Sequence, residues 1–322
     1  MEQLQMTWGW QPALYLFLGG MGAGAFIAAA VLFFKEREEH QKLIGISIVV
    51  ATICLIVGLL LLLSELINPL RGLMMWQSFS NFESWMALGA WIVFLAVIVF
   101  ALTALCTVDA IAGVISKVWK SFEAKRFSIG RVLCILGSVL ALGVAVYTGV
   151  LLMSAPGVPL WNTPILPLLF TVSALDTGIA LVEVLAFALE RKSPLSRSMR
   201  RFFETCVATL VVLEVVFLVA LLLTVGGSGS SAAASTGLLV SGVLAVPFWA
   251  LVVVLGLVFP LLVALLSLSR KEGGSGRRNE GFAVAFGAAG ALVGGCALRF
   301  LVVMAGLHAD PVLDAMAKIM GA

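Results

Sequence analysis

Long apolar stretches separated by short polar ones run through most of this chain. Eight of them are long enough for a membrane-spanning helix, which needs about 20 mostly apolar residues. They lie near residues 12–34, 42–66, 84–108, 130–153, 163–189, 203–225, 239–268 and 282–306. The pattern predicts an all-α integral membrane protein of eight transmembrane helices, forming a single membrane domain over residues 1–322. A composition of 61% hydrophobic and 11% charged residues agrees with a protein that folds in lipid.

The basic residues are concentrated in alternate connections between these stretches. Seventeen of the 20 Lys and Arg residues fall in the segments 35–42, 109–131, 190–202 and 269–281. Connections rich in Lys and Arg face the cytoplasm, and here they touch the headgroups of the lipid bilayer. We therefore expect both termini on the non-cytoplasmic side of a bacterial or archaeal cytoplasmic membrane.

Several functional classes conflict with the composition. The two histidines, His40 and His308, both lie outside the predicted spans, which excludes a haem held between two intramembrane histidines. No Walker motif is present, which argues against an ATP-driven pump, and nothing supports nucleic-acid binding. The five cysteines lie within apolar stretches and form no CxxC pair, so we expect no metal or iron–sulfur cluster in this protein.

Three acidic residues interrupt the fifth and sixth predicted spans. Asp176 and Glu183 are seven residues apart, so they share one face of a helix, and Glu214 lies near the middle of the next span. Ionisable residues inside a bilayer are costly and usually face the interior of the helix bundle. The three residues suggest a proton path, and the alternative is that they are structural carboxyls that hold helices together.

A second set of polar residues lies nearer the outer face. Tyr15 and Tyr147 are predicted at similar depth, with Glu65 and Arg299 at the outer ends of their spans. A quinone needs an apolar slot and a few hydrogen-bonding groups, which these residues offer. The alternative is that the tyrosines are ordinary interfacial residues. The opposite charges of Glu65 and Arg299 make them possible partners.

The predicted outer connections are aromatic or small rather than charged. Residues 226–238 are mostly Gly, Ser and Ala, and we expect a loop there. Segments 67–83 and 154–162 suit either an aromatic belt at the headgroups or a docking surface for an external partner. The candidate docking residues are Arg71, Trp76, Phe79 and Trp161.

Glycine is abundant in the first span. Gly20 and Gly24 have the small-xxx-small spacing that lets two membrane helices approach closely. We interpret this segment as a helix-packing surface. It is not a phosphate-binding loop, because it lies in lipid and no helix N-terminus follows it.

Three segments carry a family resemblance that covers essentially the whole sequence. They are YLFLGGMGAGAF at 15–26, YTGVLLMSAPGVPLWNTPILPLLF at 147–170 and LRFLVVMAGLH at 298–308. The protein resembles the polysulfide-reductase membrane-subunit family, also called NrfD-like.

The resemblance implies a fold and a set of partners. It implies two four-helix bundles, no haem, and a quinone, such as menaquinone, bound near the outer face. It also implies an external iron–sulfur subunit of the four-cluster type, which connects the quinone to a catalytic subunit, often a molybdopterin enzyme.

Residue roles follow from the same resemblance. Tyr147 opens the matching motif and is expected to hydrogen-bond a ring oxygen of the quinone. Glu65 is expected to exchange protons with the ring, and Arg299 to stabilise negative charge there or on Glu65. Some family members place a histidine in this pocket, but no predicted span of this protein has one. Its role passes to Gln11, Tyr15 or Glu65, or is absent.

The predicted function is the membrane anchor of a respiratory oxidoreductase complex, a quinone-reactive subunit rather than an enzyme on its own. Two alternatives stay open. One is a proton or solute transporter that uses the line of Asp176, Glu183 and Glu214. The other is an anchor without quinone chemistry. The sequence does not identify the substrate of the catalytic partner.

Overall fold

The computed structural model describes residues 9–64, 85–118, 122–189, 195–227, 230–269 and 277–308. These residues form helices, and no strand occurs among them. The helices are α1 (Trp10–Lys35), α2 (Gln41–Ser64), α3 (Trp85–Thr107), α4 (Asp109–Val118), α5 (Phe122–Met153), α6 (Ile165–Leu189), α7 (Arg197–Gly226), α8 (Ser230–Val240), α9 (Ala245–Ser269) and α10 (Arg277–Met304).

Eight of these helices are long and apolar enough to cross a membrane, which confirms the prediction of eight spans. They are α1, α2, α3, α5, α6, α7, α9 and α10. Helices α5 and α7 begin at Phe122 and Arg197, several residues before the predicted spans. Long Lys and Arg side chains let a helix continue into the headgroup region, because their charged ends reach water.

We predicted a loop at residues 226–238, which are mostly Gly, Ser and Ala, and this prediction was wrong. Residues Ser230–Val240 form α8, which packs against α7 and the start of α9. Alanine favours helix strongly, and three consecutive alanines outweigh the neighbouring serines. The backbone then turns, with the amide of Gly242 bonded to the carbonyl of Gly237 at 2.8 Å. The seventh spanning helix therefore starts at Ala245 rather than near residue 239.

Helix α9 contains a long π-helical segment, Phe248–Val258. Pro247 precedes this segment and Pro260 follows it closely. Proline has no N–H donor and interrupts the regular α-helical hydrogen bonding at both positions. Wide π-turns are rare and often occur at functional sites, and this one faces the interior cavities described below.

Helix α1 lies at the centre of the protein and packs against α2, α5, α6 and α10. Helix α3 packs on α2 and α5, while α9 packs on α7 and α10. A close approach joins α1 to α6 at Gly24 and Gly178, where the two backbones touch. This contact agrees with the interpretation of the glycines in α1 as a packing surface. The division into two four-helix bundles and the location of the termini stay predictions.

Candidate functional site

Two tyrosines meet inside the protein toward one end of the spanning helices. Tyr15 lies five residues from the start of α1, and Tyr147 lies six residues before the end of α5. At 1.5 Å per residue, both are roughly 8–9 Å from those helix ends. They are 3% and 7% exposed, and they lie close enough to interact electrostatically. We call Tyr15 and Tyr147 the tyrosine pair.

Glycines on the neighbouring helices make room for both rings. A Cβ atom at Gly58 of α2 would lie 3.3 Å from the Tyr15 ring. At Gly89 of α3, a Cβ atom would overlap the ring of Tyr147. The rings are therefore enclosed by α1, α2, α3 and α5. Within the described residues, neither phenol hydroxyl has a hydrogen-bond partner, so both are available to a bound molecule.

The other residues predicted near the tyrosines are only partly described. Gln11 is half-buried and lies one turn before Tyr15 on α1. Glu65, Arg71, Trp76 and Phe79 lie outside the described residues. Their predicted roles, including the pairing of Glu65 with Arg299, stay predictions.

Arg299 is held by interactions deeper in the protein. It is 0% exposed, and its Nη1 donates to Ser173 Oγ at 3.0 Å and to the carbonyl of Gly295 at 2.9 Å. Its Nη2 donates to the carbonyl of Phe170 at 3.3 Å. A Cβ atom at Gly20 of α1 would lie 3.1 Å from the same nitrogen. Arg299 thus stands where α1, α6 and α10 meet.

The three predicted intramembrane carboxylates are brought together with a fourth, Glu204. Asp176, Glu183, Glu204 and Glu214 are 2%, 8%, 3% and 4% exposed. Asp176 interacts electrostatically with Glu214, and Glu183 interacts with both Glu204 and Asp176. We call these four residues the carboxylate line.

The carboxylate line connects to Arg299 through a hydroxyl. Ser173 accepts a hydrogen bond from Arg299 and also contacts Glu214. Arg299 itself interacts electrostatically with Glu214. A continuous series of buried polar groups therefore runs from Arg299 on α10, through Ser173 on α6, to the carboxylates.

Two narrow cavities follow this series between α6, α7, α9 and α10. The first has room for about one water molecule and is bordered by Asp176, Glu183 and Glu204. The second is too narrow for a water molecule and is bordered by Ser173, Asp176 and Glu214, and by residues of the π-helical segment of α9. Asp176 borders both cavities. Neither is bordered by the tyrosine pair.

The sequence contained a signal for Glu204 that the predicted proton path did not use. The buried face of α7 includes Glu204, Val207, Val211, Glu214 and Leu218, with alternating spacings of three and four residues. This spacing places Glu204 and Glu214 on one helix face. Ser173 gave no comparable signal, because its role depends on Arg299 from a helix 126 positions away.

Trp161, a predicted docking residue, is almost fully buried. It is 2% exposed, and its indole N–H donates to the carbonyl of Val302 at 2.8 Å. This bond fixes the loop after α5 against the end of α10. Docking on this loop stays a prediction, and the positions open to a partner are its exposed neighbours, such as Pro156 and Asn162.

One group with metal-binding chemistry occurs among the described residues, in the turn between α1 and α2. One ligand atom from each of Glu36, Glu39 and His40 lies within 4.8 Å of the others. The Glu36 carboxylate accepts a hydrogen bond from Ser196, which caps α7, and lies 3.4 Å from Nε2 of His40. These contacts give the group a structural role in joining the turn to α7.

Comparison with known proteins adds an independent line of evidence. The family model described as "Polysulphide reductase, NrfD" matches residues 2–309. The protein is 33% identical to the C subunit of polysulfide reductase from Wolinella succinogenes over 320 residues, covering 94% of each sequence. It is 29% identical to the NrfD protein of Escherichia coli, with 94% of this protein and 95% of the relative covered. On this evidence, the protein belongs to the polysulphide reductase NrfD family.

Proposed function

We propose that this protein is the membrane anchor of a multi-subunit respiratory oxidoreductase. It exchanges electrons between a quinone, such as menaquinone, near the outer face and an external iron–sulfur subunit. The family membership supports this proposal, and one relative is by its name part of a polysulfide reductase. The observation that carries the quinone site is the tyrosine pair, buried and without a hydrogen-bond partner among the described residues.

The residues around the tyrosine pair include the kinds of hydrogen-bonding group that a quinone ring needs. A bound quinone supplies two-electron, two-proton chemistry. Tyr147 would donate a hydrogen bond to one ring oxygen of a bound quinone, and Tyr15 or Gln11 would donate to the other. Glu65 follows directly on the last described residue of α2, Ser64, and is proposed to exchange protons with the ring. The guanidinium of Arg299, about one turn deeper than Tyr15, contributes positive potential.

The family membership also supports a proposal for the external partners. An iron–sulfur subunit of the four-cluster type binds the outer segments 67–83 and 154–162, and a catalytic subunit of the molybdopterin type binds it in turn. Electrons pass between the quinone and the catalytic subunit through the iron–sulfur subunit, since the cysteines of the membrane subunit form no CxxC pair that would hold a cluster. The catalytic subunit determines which substrate is used.

Replacing Tyr147 with phenylalanine tests the quinone site. The variant keeps the ring that packs on Gly89 and removes only the hydroxyl. A hydrogen bond to a reacting oxygen contributes roughly 1.5–3 kcal/mol, so we expect quinol turnover by the purified complex to fall about 10- to 100-fold. Activity with a soluble electron donor, which bypasses the membrane site, should not change.

The matched control is Tyr15→Phe, which we expect to have a smaller effect on turnover. Assembly of each variant is checked by co-purification of the partner subunits. Wild-type turnover and quinone affinity in an assembled Tyr147→Phe complex would contradict the proposal. A wild-type complex that works with soluble donors but never reacts with quinone analogues would identify the protein as an anchor alone.

A second candidate function is proton transfer along Asp176, Glu183 and Glu214. The observation that favours it is the pair of cavities sharing Asp176. Carboxyls that only held helices together would be expected to pack without space between them. The first cavity instead leaves space for about one water molecule beside Asp176 and Glu204, each of which has a carboxyl oxygen without a partner among the described residues.

Replacing Asp176 with asparagine tests this second function. Asparagine keeps the size and polarity of the side chain but cannot release a proton. We expect proton transfer linked to quinol turnover in liposomes to fall at least about tenfold, as on loss of a proton-transfer group. Glu38→Gln, at an exposed acidic position, is the control. Unchanged proton transfer in an assembled Asp176→Asn complex would reject this role.

A further inference from the structure

Two arginines meet around one aromatic ring at the end of the helices where the basic residues are concentrated. We call this end the basic face. Arg37 lies in the turn after α1, and Arg131 lies in the first part of α5. The central guanidinium carbon of each arginine is 4.7 Å from the centroid of the Phe127 ring. The two guanidinium groups are therefore held within twice this distance of each other. We call Arg37 and Arg131 the arginine pair.

The Phe127 ring is itself held in place by α1. It stacks on the ring of Phe33, with the centroids 5.9 Å apart. Phe33 is buried, and it packs closely on Gly130 of α5, where a Cβ atom would lie 3.2 Å from its ring. Arg37 also lies over Phe33, at 5.3 Å from the centroid. A guanidinium is attracted to the face of an aromatic ring, so the two rings position the arginine pair before any ligand arrives.

Other charged residues close to the arginine pair in sequence are bonded to different parts of the protein. Arg126 donates to the carbonyl of Cys106 at 2.5 Å and to Asp109 at 2.7 Å, which fixes the junction of α3 and α4. Glu36 accepts a hydrogen bond from Ser196 at the start of α7. The arginine pair instead meets at a ring that is 39% exposed, and Arg131 is exposed as well. A ligand at the protein surface can therefore reach both Phe127 and Arg131.

The charge of this cluster is complementary to a phosphate group. Two positive groups gathered at one ring repel each other, and an anion placed between them reverses that effect. A guanidinium binds phosphate through two parallel hydrogen bonds, a geometry that lysine does not offer. The cluster thus has the chemistry of a phosphate-binding site.

The depth of Arg131 agrees with the phosphates of a lipid leaflet. Arg131 lies 22 residues before the end of α5 at Met153, which corresponds to roughly 33 Å along the helix. The hydrocarbon core of a bilayer is about 30 Å thick. When the other end of α5 lies at one surface of this core, Arg131 lies at the level of the headgroups on the opposite surface.

Apolar surface continues along α5 from Arg131 toward the middle of the membrane. Ile135, Leu142 and Val146 are all exposed, and they follow Arg131 at intervals of four, seven and four residues. These intervals place them on one face of the helix. A phospholipid has the same order of chemistry, with an anionic phosphate at the headgroup level and acyl chains beneath it.

We infer that the arginine pair and Phe127 form a binding site for one anionic phospholipid. Its phosphate lies between the two guanidinium groups, and its acyl chains run along the exposed face of α5. Such a site is more specific than the general attraction of basic segments to headgroups, because it requires arginine at two particular positions and an aromatic ring beside them. The bound lipid would join the turn after α1 to α5. The inference does not depend on the proposed function.

Native mass spectrometry of the full-length protein in detergent, titrated with phosphatidylglycerol or with phosphatidylcholine, tests this inference. The wild type should bind the anionic phosphatidylglycerol more tightly than the zwitterionic phosphatidylcholine. We expect Arg131→Gln to weaken phosphatidylglycerol binding about tenfold, as on loss of a charge-assisted hydrogen bond, and to leave phosphatidylcholine binding unchanged.

The matched control is Lys125→Gln, which removes the same charge from an exposed position of α5. Lys125 is two residues before Phe127 and so projects from the opposite side of the helix. This variant should bind phosphatidylglycerol as the wild type does. Equal weakening by Lys125→Gln and Arg131→Gln would overturn the inference, because it would show attraction to the basic face as a whole.

Two further variants separate a built site from charge alone. Arg131→Lys keeps the positive charge but loses the paired hydrogen bonds, and Phe127→Leu keeps both arginines but removes the ring that positions them. We expect each variant to bind phosphatidylglycerol several-fold more weakly than the wild type. Wild-type affinity in both variants would overturn the inference.

Competition with inorganic phosphate identifies the source of the phosphate group. Free phosphate lacks acyl chains and should not displace phosphatidylglycerol from the wild type. Displacement by phosphate, or equal affinity for the two phospholipids, would overturn the assignment to an anionic lipid. Size-exclusion chromatography checks that each variant is folded. If Arg131→Gln does not elute as the wild type does, the comparison between Arg131→Lys and Lys125→Gln decides.

Discussion

Gly24→Val is expected to abolish accumulation of the folded protein. A Cβ atom at Gly24 would overlap the carbonyl oxygen of Ala174 and lie 3.0 Å from the Cα atom of Gly178. Both obstacles are backbone atoms of α6, so the two helices must separate. The cost should exceed the ~1–3 kcal/mol typical of an overpacked core, because no flexible side chain can move aside.

Size-exclusion chromatography of the solubilised protein measures this effect as loss of the monodisperse peak. The control is Gly237→Val on α8, where a Cβ atom meets no atom within 4 Å. We expect this control to behave as the wild type. A Gly24→Val protein with a wild-type elution profile and thermal stability would show that the contact between α1 and α6 is looser than described.

Glu214→Leu is expected to destabilise the protein far more than Arg299→Gln. Removing Glu214 leaves the guanidinium of Arg299 buried at 0% exposure without the carboxylate that balances it. Removing one partner of a direct buried ion pair costs roughly 3–5 kcal/mol, and we expect a smaller loss here because Glu214 acts on Arg299 through Ser173 rather than by direct contact. Arg299→Gln should cost less stability. The carboxyl of Glu214, left alone, can neutralise itself by taking up a proton, whereas a guanidinium cannot lose one.

Thermal unfolding of the detergent-solubilised variants, followed by tryptophan fluorescence, tests this asymmetry. Glu214→Gln removes the charge but keeps a polar side chain near Ser173. Its loss of thermal stability should lie between those of Glu214→Leu and Arg299→Gln. Equal losses of stability in Glu214→Leu and Arg299→Gln would mean that Arg299 is balanced by a group other than Glu214.

The tyrosine pair and the carboxylate line divide the proposed chemistry between two regions of one protein. The tyrosines are enclosed by α1, α2, α3 and α5, and the carboxylates lie between α6, α7, α9 and α10. Arg299 lies between the two regions and contacts α1 and α6.

Much of the protein was predictable from the sequence alone. Lipid requires every backbone polar group to be bonded within its own segment, so eight long apolar stretches specify eight helices. The spacing of Asp176 and Glu183 placed them on one helix face, and the structure agrees. The motif that opens at Tyr147 led to the family, which the comparisons confirm.

Other features depended on contacts between distant helices. Side-chain spacing describes one helix face but does not specify which helix packs against it. The association of Arg299 with Ser173, the enclosure of Tyr147 by Gly89 and the burial of Trp161 against Val302 each join segments far apart in sequence. Local pattern determined the helices of this protein, and only the packing of those helices determined which of their polar residues meet.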